Sequence, residues 1–148
     1  MSTVIRPERI AELMKIEEQR FLDTHKASTE AFNQSSKVMH EGVPMSWMAK
    51  WPGAHPVFVK EAKGAHFTDL DGHDYIDFCL GDTGSMTGHS PAATVAAVKA
   101  QIDKGITAML PSENAAIVSD LLRERFGLPL WQFTVSATDA NRHVIRYA

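Results

Sequence analysis

The stretch that most constrains the fold is the last part of the chain, "WQFTVSATDANRHVIRYA". Trp131 to Val135 alternates bulky apolar with polar side chains, the two-residue period of a β-strand. Ser136, Ala137 and Thr138 break that strand, and from Ala137 the apolar residues recur at Ala140, Val144 and Tyr147, one face of a helix. Ser136 can accept a hydrogen bond from a first-turn backbone N–H, and Asp139 three residues on makes a loose capping box. The stretch predicts a strand, a tight turn and a helix, with no Gly, Asn or Pro to end that helix. A lone strand cannot form a parallel sheet, and strands alternating with helices normally continue as βαβ units. Standing alone, this part would leave a strand edge and a helix face uncovered. The expectation is therefore an α/β protein of which these 148 residues are a portion.

Upstream, Pro7 opens a helix lasting to about Lys26, with Ile10, Leu13, Met14, Ile16 and Phe21 at apolar spacing. Ser28 is positioned to cap a second helix through Phe32 to Met39. "GVPMSWMAKWPGAHP" has Gly, Pro and Trp without clean periodicity and reads as an ordered loop. Three short strands are expected at Val57–Glu61, Ala65–Asp69 and Tyr75–Cys79, the last two joined by "DLDGHD", where Asp71-Gly72 is a hairpin turn. After the glycine-rich "LGDTGSMTGHSP", Pro91 opens a helix through Val95, Val98 and Ile102 to about Lys104. "GITAMLPS" is a further loop, and Ser112 starts a helix through Ile117, Leu121 and Leu122 to Phe126. The order is helices, an antiparallel meander, then alternating helix and strand.

Composition narrows the partners. The formal charge is −3 with no dense block of Lys or Arg, so nucleic acid and anionic membrane surfaces are poor partners. No apolar run approaches the roughly 20 residues needed to cross a bilayer. The start "MSTVIRPERIAELMK" is charged and helical, unlike a secretory signal. The single cysteine, Cys79, allows no internal disulfide and fits a reducing, cytoplasmic setting.

Five places could carry chemistry. The turn Ser136–Thr138 presents free N–H groups at the positive end of a helix dipole, with two hydroxyls beside them, which suits a phosphate. Ser and Thr are also the default N-caps, so local sequence alone reads the turn first as a cap. "DLDGHD" fails as a calcium loop: its glycine falls too early, and Leu80 stands where a bidentate Glu is needed. Of the seven histidines, His66 and His73 flank the hairpin and His89 sits in the glycine loop, and no pair has the spacing of a helical metal motif; they read as surface or loop residues, with no metal expected. Cys79, ending an apolar strand, reads as a buried structural thiol. In "GDTGSMTGHS", Thr83, Gly84, Ser85 and Met86 form a flexible loop with Gly88 allowing positive φ, which as an isolated loop reads as a surface connection.

The order of these segments is more specific than any one of them. "GAHFTDLDGHDYIDFCLGDTGSMTGHSPAATVAAVKAQIDKG" resembles the N-terminal region of class III pyridoxal-phosphate aminotransferases, in particular the glutamate-1-semialdehyde aminomutase subgroup. In that family a "G-x-x-x-x-D-x-D-G-x-x-Y-x-D" meander leads to a loop ending in Gly-His, matched by Gly88-His89. Its Ser-Gly-Thr-Glu-Ala turn corresponds to Ser136-Ala137-Thr138-Asp139-Ala140. The resemblance covers about Gly42 to Ala148.

The resemblance implies the N-terminal part of a fold type I enzyme: a helical lead-in at 1–41, a small-domain loop and meander at 42–88, and the start of the large cofactor-binding domain at 89–148. It implies a homodimer, a small amino acid or amino/oxo acid substrate, and pyridoxal 5'-phosphate held by its phosphate at Ser136, Ala137 and Thr138. The loops carrying Ser46 and Trp47, and Thr83 to Met86, would lie near substrate or the dimer interface, as would "GITAMLPS". Two positions depart from the family pattern: its Gly is Ala137 and its Glu is Asp139. Where some relatives carry an Arg in the early loop, Met45-Ser46-Trp47-Met48 has none and Lys50 is the nearest cation. The family's ring-stacking aromatic residue, pyridine-pairing Asp and Schiff-base Lys all follow the phosphate turn, so these residues alone are expected to be inactive and no catalytic residue is assigned. The alternative is a non-enzymatic truncated module that pairs with a full-length relative; an unrelated phosphate-binding domain would need the terminal helix face covered.

Overall fold

The structure is a computed structural model that describes residues 6–148, so the first five residues of the charged start lie outside the described residues. It comprises two compact units, Met1–Ala100 and Gln101–Ala148.

In the first unit, α1 (Pro7–Thr24) begins with proline in its first turn, where the missing N–H costs nothing. It stops at His25, whose non-helical backbone (φ −118°, ψ 51°) is the single joint before α2 (Lys26–Ser35). Sequence reading places Ser28 as the cap of α2; instead Ser28 lies inside the helix, fully buried, its hydroxyl accepting from Phe58 N–H at 3.4 Å. The free amides at the start of α2 are taken by Asp71 of the distant hairpin, which accepts from Ala27 N–H at 2.6 Å and Ser28 N–H at 3.0 Å. A cap from another element leaves no mark at the helix start itself. The other end is also corrected: α2 stops at Ser35 rather than Met39. The Ser35 hydroxyl donates to Gly42 O (2.6 Å) and that of Ser36 to Phe32 O (2.8 Å), so both hydroxyls bond the backbone where the helix ends. Gly42 has φ 72°, and a Cβ there would collide with Ser36 and Phe32.

The expected meander forms as β1 (Val59–Lys63), β2 (His66–Asp69) and β3 (Asp74–Ile76), antiparallel in the order β1-β2-β3. Phe67 faces Tyr75 across the β2–β3 pair with their rings stacked at 4.8 Å, and Gly72 takes φ 90° in the turn. Cys79 is exposed, which corrects its reading as a buried thiol. The strand ends early because the Asp77 carboxylate accepts from both Cys79 N–H and Leu80 N–H, each at 2.9 Å, and bends the chain away. After the glycine loop comes α3 (Ala92–Ile102).

The buried side chains of this unit are mainly polar: Ser28, Ser35, His55 and Asp69, with Val43 the one buried hydrophobic among the described residues. Rings surround them, with Phe21 stacked on His25 at 4.2 Å and Phe32 on His55 at 5.2 Å.

In the second unit, α4 (Glu113–Phe126) has Ser112 at its N-cap position, as expected, and ends on Gly127 at φ 72°. The strand expected at Trp131–Val135 is absent. A strand exists through its ladder, and no partner strand is present among the described residues. Trp131 instead turns back onto Phe126, ring centres 5.9 Å apart, and its indole N–H donates to Leu128 O. α5 (Ala137–Tyr147) follows, with Val144, Ile145 and Tyr147 exposed.

The tertiary cap on α2 has a direct consequence. Asp71→Ala leaves two helix-end amides without their acceptor and lowers stability by about 1–2 kcal/mol, read from the midpoint of urea unfolding. An unchanged midpoint would show that the contact does not hold α2.

Candidate cofactor and substrate site

The turn at the start of α5 is built by Ser136. Its backbone is extended (φ −155°, ψ 159°), and its hydroxyl oxygen accepts from Asp139 N–H at 3.1 Å. Only half of the expected capping box forms: the Asp139 carboxylate points forward to Arg142, 2.7 Å away, rather than back to the cap. The Thr134 hydroxyl donates to Ser136 O at 3.0 Å and braces the turn from the other side.

This arrangement fits a phosphate. Accepting from Asp139 leaves the hydroxyl hydrogen of Ser136 free to donate, and the amides of Ala137 and Thr138 belong to the first turn, which has no intrahelical acceptor for them. Ala137 is the first helical residue, a conformation any L-residue adopts, so a methyl in place of the family's glycine imposes no backbone strain here. A carboxylate in the first turn opposes a second anion there, and Arg142 offsets that repulsion by pairing with Asp139. Ser136, Ala137 and Thr138 thus come together in one turn.

The other candidates form two separate loops in the first unit. Ser46 and Trp47 open a short 3-10 turn, Ser46–Ala49, in which Trp47 is 61% exposed. Thr83, Gly84, Ser85 and Met86 lie in a tightly folded loop with Met86 at its surface. Ser85 N–H donates to Leu80 O and Gly88 N–H to Ser85 O, both at 2.8 Å. As expected, Gly88 has positive φ; so do Leu80, Asp82, Thr83 and Ser90, none of them glycine. Non-glycine residues held there store strain and need the surroundings to hold them.

Sequence reasoning did not find what holds them. His89 Nε2 lies 2.6 Å from Asp77 Oδ2, and His89 exchanges both backbone hydrogen bonds with Gly64 (2.9 and 2.8 Å). Gly88 sits so close to Gly64 that a Cβ would come within 3.3 Å of its backbone. One carboxylate therefore ties the entry of the loop at Cys79 and Leu80 to its exit at His89. The His89 hydrogen bond, with those from Leu80 and Cys79 N–H, holds the Asp77 carboxyl below the usual carboxylate value of 3.8. Only the Gly-His spacing in the sequence pointed this way.

The sequence matches the class-III aminotransferase family over residues 47–148, and the chain belongs to that family. Its fold is the N-terminal α/β portion of a fold type I pyridoxal-phosphate-dependent transferase. Among solved structures, a glutamate-1-semialdehyde aminomutase from Pseudomonas aeruginosa PAO1 is 46% identical with a TM-score of 0.88, over 96% of this chain and 31% of that one. A β-phenylalanine aminotransferase from Variovorax paradoxus is 27% identical with a TM-score of 0.85, over 93% of this chain and 32% of that one. The glutamate-1-semialdehyde 2,1-aminomutase of Thermoplasma volcanium is 35% identical over 125 residues, 82% of this chain and 29% of that protein. The chain spans less than a third of the length of these relatives.

Acid should open the glycine loop. A lowered native value means that the Asp77 contribution is fully present above about 3.8 and is lost as pH falls through the native value. The amide resonances of Cys79 and Leu80 should titrate together, with a midpoint below 3.8, and shift at neutral pH in Asp77→Ala. A midpoint at or above 3.8 would contradict the clamp.

Proposed function

We propose that these residues are the N-terminal portion of a pyridoxal-phosphate-dependent aminomutase or aminotransferase acting on a small amino acid or amino/oxo acid. The observation that carries this reading is the 46% identity and 0.88 TM-score over 96% of the chain to a glutamate-1-semialdehyde aminomutase. That structure also exists as a variant in complex with PMP, and a further relative is a transaminase with PLP bound, which supports the cofactor. Ser136, Ala137 and Thr138 would hold its phosphate through the free hydroxyl hydrogen, the first-turn amides and the helix dipole. Bound there, pyridoxal phosphate supplies an electron sink for the carbanion formed at the substrate's α-carbon.

The remaining roles fall to loops of this chain. The clamped loop Thr83–Met86 and the turn bearing Ser46 and Trp47 border the substrate or the partner subunit of a cytoplasmic homodimer. The divisions 1–41, 42–88 and 89–148 then correspond to the helical lead-in, the small-domain meander and the start of the cofactor-binding domain. With less than a third of a relative's length present, the 148 residues do not turn over substrate by themselves. The alternative role is a non-enzymatic truncated module that pairs with a full-length relative.

Cofactor titration of the full-length protein tests the assignment. Ser136→Ala with Thr138→Val removes two donors to a charged group and weakens pyridoxal phosphate binding by about tenfold or more. The affinity for pyridoxal, which lacks the phosphate, stays the same. Equal losses for both ligands would remove the phosphate role from this turn. Amino transfer or migration by the 148-residue chain alone would refute its inactivity, and co-purification with a full-length relative would favour the pairing module.

A further inference from the structure

Among the described residues, His25, Asp69 and His73 form a group of metal-ligating side chains whose ligand atoms all lie within 4.8 Å of one another. His25 comes from the α1–α2 joint, and Asp69 and His73 flank the hairpin turn between β2 and β3. Asp69 Oδ2 lies 3.0 Å from His73 Nδ1, 3.6 Å from His25 Nε2 and 2.9 Å from the Tyr75 hydroxyl, which is itself 2.8 Å from His25 Nε2.

His25 Nδ1 lies 2.9 Å from the Phe21 carbonyl oxygen and 3.0 Å from the Thr24 hydroxyl, so either ring nitrogen can carry the hydrogen and Nε2 is able to face an ion. Asp69 is fully buried, and the side chains facing its carboxylate are the His25 and His73 imidazoles and the Tyr75 hydroxyl rather than Lys or Arg. The adjacent Asp71 faces the amides of α2 instead.

We propose that His25 Nε2, His73 Nδ1 and Asp69 Oδ2 form a binding site for a divalent transition-metal ion of the zinc class, stapling the α1–α2 joint to the hairpin. Bonds of about 2.0–2.1 Å in a tetrahedron set ligands about 3.3 Å apart, and the two measured edges to Asp69, 3.0 and 3.6 Å, bracket that value. The His25–His73 edge closes by rotation of His73, whose side chain is 41% exposed and leaves the fourth position open to water. The outer partners are in place: the Phe21 carbonyl is placed to accept from His25 Nδ1–H when Nε2 binds the ion, and Asp71 N–H and His73 N–H hold Asp69 Oδ1, each at 2.9 Å. The Tyr75 hydroxyl donates to Asp69 Oδ2 at 2.9 Å and orients it. Two imidazoles select zinc-class ions over calcium or magnesium, which take oxygen ligands.

The test titrates chelator-treated full-length protein, carrying Cys79→Ser to remove the exposed thiol, with Zn²⁺ alone by calorimetry and Co²⁺ alone by visible absorption. The expected result is one ion per chain, a tetrahedral Co²⁺ spectrum and a rise in Tm with Zn²⁺. His73→Gln, which can still donate to Asp69, should keep the unliganded Tm while weakening the metal by at least about tenfold. His66→Gln, at the exposed His66–Asp74 pair, should leave it unchanged. No stoichiometric Zn²⁺ binding overturns the proposal. So does equal affinity in His73→Gln, which would place the ion elsewhere.

Discussion

The first unit depends on a single buried carboxylate. Asp69 accepts the N–H groups of Asp71 and His73, the His73 ring and the Tyr75 hydroxyl. These bonds tighten the turn between β2 and β3 and determine where its other groups point. Asp71, two residues on, is thereby presented to the start of α2. The hairpin and the helical lead-in are thus joined by two acids of one short stretch, in a region where Val43 is the one buried hydrophobic among the described residues. Hydrogen-bond geometry carries specificity there that side-chain packing usually supplies.

A second carboxylate repeats this logic nearby. Asp77 gathers Cys79, Leu80 and His89, and so closes a loop in which several non-glycine residues hold positive φ. Backbone conformations of that kind persist only when neighbouring contacts over-determine them. The Gly64–Gly88 contact provides a further constraint, since neither residue has a side chain to separate the two backbones. A loop fixed at both ends presents Thr83 to Met86 in one shape, a prerequisite for placing them beside a substrate.

What the sequence disclosed divides along the range of the interaction. Elements set by local chemistry were legible: Pro7 starting α1, Gly72 in the hairpin, Ser112 and Ser136 at the starts of α4 and α5. Elements set by distant partners were not. Ser28 has the chemistry of a cap, yet Asp71 holds that helix end from more than forty residues away. Cys79 continues an apolar run, yet Asp77 bends the chain and leaves the thiol exposed. Trp131–Val135 has the alternation of a strand, but alternation describes two faces and supplies no neighbour to pair with. The assembly of His25 with Asp69 and His73 was invisible for the same reason: no spacing in the sequence relates residue 25 to a turn at residue 71.

The phosphate turn shows how far local geometry carries a functional reading. Any N-capped helix offers free amides, so Ser136 and its hydrogen bond to Asp139 do not by themselves distinguish a cap from a cofactor site. Two further features keep the turn compatible with an anion: Arg142 pairs with the carboxylate that would otherwise repel one, and Ala137 enters the helix in a conformation that makes the loss of the family's glycine harmless. With the same turn carried by a family of pyridoxal-phosphate enzymes, both departures from the family pattern become compatible with its chemistry: Asp139 shortens the acid and Arg142 answers its charge.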